Sequence, residues 1–183
     1  ALMGVQDLSP DWYVSIGAST GAATFQNRLR IDAGLYRKWG AERRWVTGIA
    51  LMHAASADGI HRDNMIKLSA IYYAPQGFVA EGGVSGNRSN PGSVWSPRVY
   101  GAVTMGADKK HWLSLKLEHG QEGYLPVVAG QSFPTNTQFR STEATLQWRQ
   151  WLGRDWGYVL GAQLYRNPYY RRAGVTVGLF MDF

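Results

Sequence analysis

Apolar and polar residues alternate with a period of two along most of this chain. In the range His111–His119, three leucines alternate with Ser114, Lys116 and Glu118. Successive side chains of a β-strand point to opposite faces, so the alternation predicts a strand with one apolar and one polar face. The range Arg171–Phe183 alternates for about a dozen residues, whereas strands of soluble proteins average about five or six. That length fits the roughly 9–11 residues that cross a bilayer at a tilt.

Ten segments show this alternation, although the one at 44–55 is apolar on both faces. They are 12–19, 28–39, 44–55, 66–73, 78–85, 98–105, 111–119, 143–149, 158–165 and 171–183. Charged or small residues on one face of nearly every segment predict a polar lumen and a lipid-facing exterior. The sequence therefore predicts an all-β fold, an antiparallel up-and-down transmembrane β-barrel of about 10 strands over residues 11–183. Residues 1–10 lack the alternation and are expected to form a periplasmic lead-in.

The connections between the segments alternate in length. Short, turn-like stretches rich in Gly, Pro and Asp occur at 39–43, 74–77, 107–110 and 153–155. Longer polar stretches occur at 56–64, 87–96 and 120–138. Short periplasmic turns and long extracellular loops are typical of barrels in the outer membrane of Gram-negative bacteria. The same pattern predicts that both termini are periplasmic.

Aromatic residues concentrate near the ends of the predicted strands. Amphipathic rings prefer the headgroup layer of a membrane, so this pattern predicts two interfacial girdles. Tyr169 and Tyr170 fall near a long-loop end, and core packing in a soluble barrel is the alternative. The predicted membrane-interface aromatics are Trp12, Trp39, Trp45, Trp112, Trp151, Trp156, Tyr165 and Phe183.

Composition narrows the classes of function. With Cys 0, the chain has no disulfides, thiolate metal sites or cysteine nucleophiles. No run approaches the roughly 18 apolar residues of a transmembrane helix. The net charge of +6 is spread along the chain, so nucleic acid is not an expected partner. The range Ala1–Gly4 lacks the features of a signal peptide, so an exported protein would be represented here by its mature part.

The order of segments in the last third resembles a known family. Trp112–Leu115 is followed by Gly120–Tyr124, a long loop, Ser141–Trp151 and Trp156–Tyr165. This order resembles YaiO-type outer-membrane β-barrels and the related barrels that end some exopolysaccharide-export and phage-adsorption proteins. The resemblance covers the C-terminal half, and the chain is shorter than typical members, as if a strand pair were missing. It implies an outer-membrane location and a role at the envelope, and it carries over no catalytic residues.

Charged side chains on the polar parity are the candidate lumen residues. A barrel of about ten strands is narrow, so such side chains could nearly fill it. One interpretation is a salt-bridged plug that stiffens the wall, because buried charges must be paired. The other is a slightly cationic conduit for small anionic or sugar-like solutes. The candidates are Arg28, Arg30, Asp32, Lys67, Glu81, Arg98, Lys116, Glu118, Glu143 and Arg149.

A catalytic rim is the enzymatic alternative. His53, His61 and His119 could approach the outer rim, where four acidic residues also lie: Asp58, Asp63, Glu118 and Glu122. His119 has the outward parity of Leu117, which suits a surface residue better than a general base. No nucleophile or set of metal-ligating residues has the spacing of a known catalytic or metal-binding motif, so no cofactor and no metal are expected.

Three functions remain open. The first is a non-enzymatic outer-membrane barrel that serves envelope assembly or export, in connection with exopolysaccharide secretion. The others are a barrel enzyme acting on lipid A or surface peptides, and a passive pore for small solutes. The expected partners are outer-membrane lipid and lipopolysaccharide, a periplasmic or secretion-complex protein, and phage or other extracellular contacts at the long loops.

Overall fold

A computed structural model of the chain describes residues 1–21, 27–124, 127–128, 131–132 and 137–182. Within these ranges every helix or strand assigned is a β-strand. None of the described residues belongs to a helix long and apolar enough to cross a membrane. The strands are β1 (Leu2–Ser9), β2 (Trp12–Ser19), β3 (Asn27–Trp39), β4 (Trp45–Ser56), β5 (Arg62–Tyr73), β6 (Phe78–Asn90), β7 (Val94–Ala107), β8 (His111–Tyr124), β9 (Val127–Val128), β10 (Gln131–Ser132), β11 (Thr137–Trp151), β12 (Trp156–Arg166) and β13 (Arg171–Met181).

Eleven strands form one antiparallel sheet, and each of them pairs with the next of these eleven along the chain. The two-residue strands β9 and β10 form a separate small hairpin between β8 and β11. This order is an up-and-down meander, so the predicted all-β antiparallel architecture is confirmed. Each of the ten alternating segments overlaps one strand of the sheet, and β1 is the additional strand.

Strand β1 differs from the sequence-based prediction. Residues 1–10 were expected to be a lead-in, but Leu2–Ser9 pairs with β2 along its length, from Leu2 opposite Ala18 to Ser9 opposite Trp12. Main-chain groups make these hydrogen bonds, so an edge strand forms without strict alternation of its side chains. A tight connection at Pro10 and Asp11 supplies the reversal.

The eleventh strand also changes the position of the termini. The connections 10–11, 40–44, 74–77, 108–110 and 152–155 lie at one end of the sheet, called the turn end, and the others lie at the loop end. Leu2 pairs with Ala18 near the loop end, whereas Met181 pairs with Trp156 at the turn end. The first and last described strands therefore run in the same direction. An odd number of antiparallel strands brings the first and last described residues to opposite ends of the sheet. This differs from the prediction that both termini lie on the periplasmic side.

Strands extend further toward the loop end than the sequence predicted. The range 87–96 was expected to be a long loop, but β6 continues to Asn90, β7 begins at Val94, and only 91–93 connect them. Polar residues fill this stretch, and their main-chain groups pair as well as those of apolar residues do. In the range 120–138, residues 120–124 likewise belong to β8 and residues 137–138 to β11. Residues 125–126, 129–130 and 133–136 of that range lie outside the described residues, so the loop prediction stays untested there.

The register of the sheet separates an apolar face from a polar face. One row of paired residues on the polar face crosses the whole sheet: Asp7, Tyr13, Tyr36, Gly48, Ser69, Gly83, Tyr100, Glu118, Glu143, Tyr165 and Arg172. The row begins near the turn end of β1 and finishes at the loop end of β13. Strands staggered in this way are tilted, which is the geometry that lets a sheet curve into a barrel.

The two edges of the sheet are more exposed than its interior strands. Strands β1 and β13 each pair on one side only in the described structure. Leu2 in β1 and Leu179 in β13 are both 83% exposed, compared with 44% for Leu115 in β8. On interior strands the residual exposure comes from apolar side chains that stand on the outer face of the sheet. A soluble protein would bury such a face, so the sheet needs an apolar environment.

Glycines on the polar face make room for tyrosine rings. A Cβ atom at Gly48 would lie 2.3 Å from Cδ1 of Tyr36, and one at Gly83 would lie 2.7 Å from Cε1 of Tyr100. The Tyr36 ring also stacks on Tyr13, with centroids 4.6 Å apart. The rings therefore lie flat against the sheet, and the glycines are needed for close approach.

Candidate functional site

Ion pairs and hydrogen bonds gather the polar face into three clusters. The loop-end cluster contains Arg98, Glu118, Glu122, Ser141 and Tyr165. The central cluster contains Lys67, Glu81 and Tyr100. The turn-end cluster contains Lys109, Arg149, Trp151 and Asp182.

The loop-end cluster joins four neighbouring strands. The Arg98 side chain, only 15% exposed, donates from Nε to Glu118 and from Nη1 to Glu122 Oε1 at 2.9 Å. Nη1 also lies 2.9 Å from Ser141 Oγ, and the Tyr165 hydroxyl donates to Glu122 Oε2 at 3.0 Å. Ser141 is 2% exposed and Tyr165 is 6% exposed. The cluster is largely buried, and Lys116, 2.6 Å from Glu118, supplies the second cation that its two carboxylates need, so the cluster stiffens the wall between β7 and β12.

The central cluster holds one carboxylate between a cation and a phenol. Lys67 Nζ lies 3.2 Å from Glu81 Oε1, and the Tyr100 hydroxyl donates to the same oxygen. Lys67 Nζ also lies 4.3 Å from the centroid of the Tyr100 ring, and Lys116 Nζ lies 5.4 Å from it. Cation–π contacts of this kind add to the ion pair when water is partly excluded. The cluster therefore places side chains over the middle of the polar face.

The turn-end cluster fixes the end of β13. Asp182 accepts from Arg149 Nη2 at 2.8 Å, from Trp151 Nε1 at 3.0 Å and from Lys109 Nζ at 3.1 Å. The hydrogen bond from Trp151, followed by that from Lys109, lowers the pKa of Asp182 below its ordinary value. The bond to Asp182 raises the pKa of Lys109. These contacts connect the 108–110 turn to the end of the last strand.

Most of the predicted lumen charges lie on the polar face. Arg28 is the exception, because a register shift between Asn27 and Leu29 disturbs the alternation there and leaves Arg28 exposed near the loop end. Glu143 lies directly opposite Glu118 in the register. The remaining predicted charges on the polar face are Arg30, Asp32, Lys67, Glu81, Arg98, Lys116, Glu118 and Arg149.

The predicted interfacial aromatics divide between the two faces. Trp12, Trp39, Trp45 and Trp156 lie on the apolar face at the turn end and are between 37% and 54% exposed. Phe183 lies outside the described residues.

The assignment needs correction for Trp112, Trp151 and Tyr165. All three share the polar face, where Trp112 pairs in register with Arg149, Trp151 donates to Asp182 and Tyr165 donates to Glu122. Position near a strand end suggested the interface, but parity decides the face, and the Trp151 indole and the Tyr165 phenol donate to carboxylates there.

The histidines make separate local contacts. His53 and His119 lie on the apolar face, where each Nδ1 is 2.8 Å from a cross-strand oxygen, that of Asn64 or Thr142. His61 Nδ1 contacts Asp58 in the 57–61 connection. Hydrogen bonds from the His61 ring, and from the main-chain N–H groups of His61 and Ile60, lower the pKa of Asp58 to about 2. The His61 ring and the Asp58 carboxylate are therefore held together at the loop end.

Sequence analysis missed two acidic residues of the polar face, Asp63 and Glu122. It placed both at the outer rim as possible partners of histidines. In the structure Glu122 accepts from Arg98, and Asp63 accepts from Asn87 and Ser89. The signal was present, since Glu122 keeps the parity of Glu118 and Lys116. It was overlooked because the strand was expected to end at His119, whereas β8 continues to Tyr124.

A comparison with known families supports the barrel interpretation. The profile of the family described as "YaiO membrane beta barrel domain" matches residues 4–125, more than half of the chain. The match includes Trp112–Tyr124 but not the later segments on which the resemblance was based, so it covers the N-terminal half and only the beginning of the C-terminal half. Among curated proteins, none matches the chain.

Proposed function

The chain belongs to the YaiO membrane β-barrel family, and we infer from this membership a non-enzymatic role in envelope assembly or export. It is an outer-membrane barrel protein. The finer proposal is that it supports secretion of an exopolysaccharide, together with a periplasmic or secretion-complex partner at the periplasmic end. The loop end would contact lipopolysaccharide, phage or other extracellular partners.

The observation that carries the proposal is the pairing of charges across the polar face. Arg98 and Lys67 each meet a carboxylate of the neighbouring strand, and Arg149 meets Asp182 just after β13, all within 3.2 Å. Side chains held in this way narrow the space inside a small barrel. This favours a stiff wall with a narrow, charge-filled lumen over a passive pore, and a role that depends on partners.

The contacts of His61 support a role without catalysis. A hydrolytic site needs a nucleophile within hydrogen-bond reach of its base. In the described part of the chain, the His61 ring has Asp58 as its hydrogen-bond partner and no hydroxyl. We expect purified protein incubated with lipopolysaccharide to leave its acyl chains unchanged. Loss or gain of acyl chains would favour the enzymatic alternative.

We expect the wild-type protein in planar lipid bilayers to show little steady conductance. Glu81→Ala should increase the frequency of open events, because it removes the acceptor that holds Lys67 and Tyr100 over the polar face. Glu143→Ala is the matched control, since Glu143 has no cation within salt-bridge distance among the described residues. A wild-type protein with a large, constant conductance would contradict the narrow lumen and favour the pore for small solutes.

The export role requires a separate measurement in cells. Deleting the gene from its host should lower the amount of secreted polysaccharide, and the wild-type gene should restore it. Cells that secrete the same amount without the protein would contradict the proposed link to secretion.

A further inference from the structure

A cavity of about 280 Å³, lined largely by polar and charged residues, lies beside the loop-end cluster, between the 57–61 connection and β8. Side chains of four consecutive strands line it: Asp63 from β5, Asn87 and Ser89 from β6, Ser96 and Arg98 from β7, and Glu122 from β8. All six belong to the polar face of the sheet. The wall of the cavity is therefore made of strands, which hold polar groups in fixed positions.

Two polar atoms of this wall are buried and have no hydrogen-bond partner. They are Ser96 Oγ and Asn87 Oδ1. Ser96 is only 5% exposed, and it lies directly opposite Asn87 in the register of β6 and β7. Facing residues of neighbouring strands have Cβ atoms about 4.5–5.5 Å apart, so one hydroxyl group could pair with both once the Ser96 side chain rotates toward the cavity.

The hydrogen bonds of Asn87 fix the orientation of its amide group. Its Nδ2 donates to Asp63 Oδ1 at 2.8 Å and to Ser89 Oγ at 3.0 Å. An ionised carboxylate only accepts, so the amide nitrogen must face Asp63 and the amide oxygen must point elsewhere. The vacant acceptor at Asn87 and the vacant hydroxyl at Ser96 together match a group that both donates and accepts. A sugar hydroxyl is such a group.

The charges around the cavity disfavour an anion. Arg98 is matched by Glu118 and Glu122. Among the described residues Asp63 has no cation within salt-bridge distance, and its hydrogen bonds come from the neutral groups of Asn87 and Ser89. A carboxylate on the ligand would lie near this negative charge without a free cation to offset it. An uncharged ligand fits better.

We propose that this cavity binds one uncharged, hydroxyl-rich sugar unit, whose hydroxyl group pairs with Ser96 and Asn87. A volume of about 280 Å³ is slightly below the roughly 300–1,000 Å³ of pockets for drug-sized ligands, which suits one unit of a saccharide chain. The sugar could come from a secreted polysaccharide or from lipopolysaccharide. The proposal deepens the export function, and it rests on that function only for the source of the sugar.

The test is saturation-transfer NMR on the purified, folded barrel in detergent, with methyl glucoside as the probe. We expect methyl glucoside to bind with a millimolar dissociation constant. Ser96→Ala should raise this constant roughly threefold to tenfold, which corresponds to the loss of one hydrogen bond. Because Ser96 Oγ has no partner, the variant loses no internal hydrogen bond and should fold as the wild type does. Ser15→Ala on β2 is the matched control, since it makes the same change on the polar face outside this cavity, and it should bind as the wild type does.

Glucuronate supplies a second measurement. It should bind more weakly than methyl glucoside, and Asp63→Asn should reduce that difference, because the amide oxygen can still accept from Asn87 and Ser89 without the charge. A neutral glucan oligomer and the phosphorylated core oligosaccharide of lipopolysaccharide, tested separately, distinguish the two sources of sugar. Preference for the glucan would support the polysaccharide as the source.

Two results would overturn the proposal. One is a folded wild-type protein that binds none of these sugars at millimolar concentration, which would mean that the cavity holds water only. The other is equal binding by the wild type and Ser96→Ala, which would place the sugar elsewhere. Neither depends on the secretion assay, so unchanged polysaccharide secretion after deletion of the gene, with sugar binding intact, would reject the proposed role and keep the site.

Discussion

Replacing Leu115 with arginine is expected to destabilise the protein in lipid by roughly 2–4 kcal/mol, the cost of a basic side chain at the middle of the lipid face of a barrel. Leu115 lies in the middle of β8, on the apolar face, between Val103 and Leu146 of the neighbouring strands. Its side chain is 44% exposed, so in a membrane it would contact lipid. Urea unfolding of protein refolded into lipid vesicles measures the difference.

Leu152→Arg is the matched control for this prediction. Leu152 is 58% exposed and lies in the 152–155 connection at the turn end, where a barrel meets water. The cost of the same change falls to about 0–1 kcal/mol near an interface. If both variants were destabilised equally in vesicles, the position assigned to Leu115 at the middle of the membrane would be wrong.

The second large effect is expected for Arg98→Ala. Removing one partner of a buried ion pair costs about 3–5 kcal/mol, and the partial exposure of Glu122, 33%, places this change near the lower figure. Glu118 keeps Lys116 Nζ at 2.6 Å. Glu122 loses its cation and keeps only hydroxyl donors, from Ser141 and Tyr165. The free energy of unfolding in vesicles is the measurement.

Two further variants show whether the cost comes from the unpaired carboxylate. Combining Arg98→Ala with Glu122→Gln should recover part of the stability, because the neutral amide costs less to bury than the charge. Arg30→Ala removes the pair with Asp32, in which both side chains are 42% exposed, and should cost only about 0–1 kcal/mol. If Arg30→Ala lowered the free energy of unfolding as much as Arg98→Ala, the result would contradict the claim that the Arg98 pairs are the more buried ones.

The alternation of side chains predicted most of the sheet. Leu113, Leu115 and Leu117 have the outward parity expected of them. The same alternation located the other interior strands, because each has one apolar face that stands toward lipid. The rule failed for β1, whose pairing comes from the main chain. It also failed at Arg28, because a register shift cannot be read from the side chains.

The clusters on the polar face could not be predicted from one sequence. Parity placed Arg98, Glu118 and Glu143 together, but it could not show that Arg98 binds Glu118 and Glu122. Nor could it show that Glu143 lacks a cation within salt-bridge distance among the described residues. That choice depends on register between strands and on strand length, and β8 is longer than its apolar pattern indicates. The roles of Trp151 and Tyr165 depend in the same way on carboxylates contributed by other strands.

The central claim is that the sheet stands in a membrane with its apolar face toward lipid. The chain has no cysteine of its own, so single cysteines carrying a spin label can be placed at each position from Leu113 to Glu118 in vesicles. We expect collisions with dissolved oxygen, which concentrates in lipid, to be frequent at positions 113, 115 and 117 and infrequent at 114, 116 and 118. Collision rates without a period of two along this strand would contradict the account.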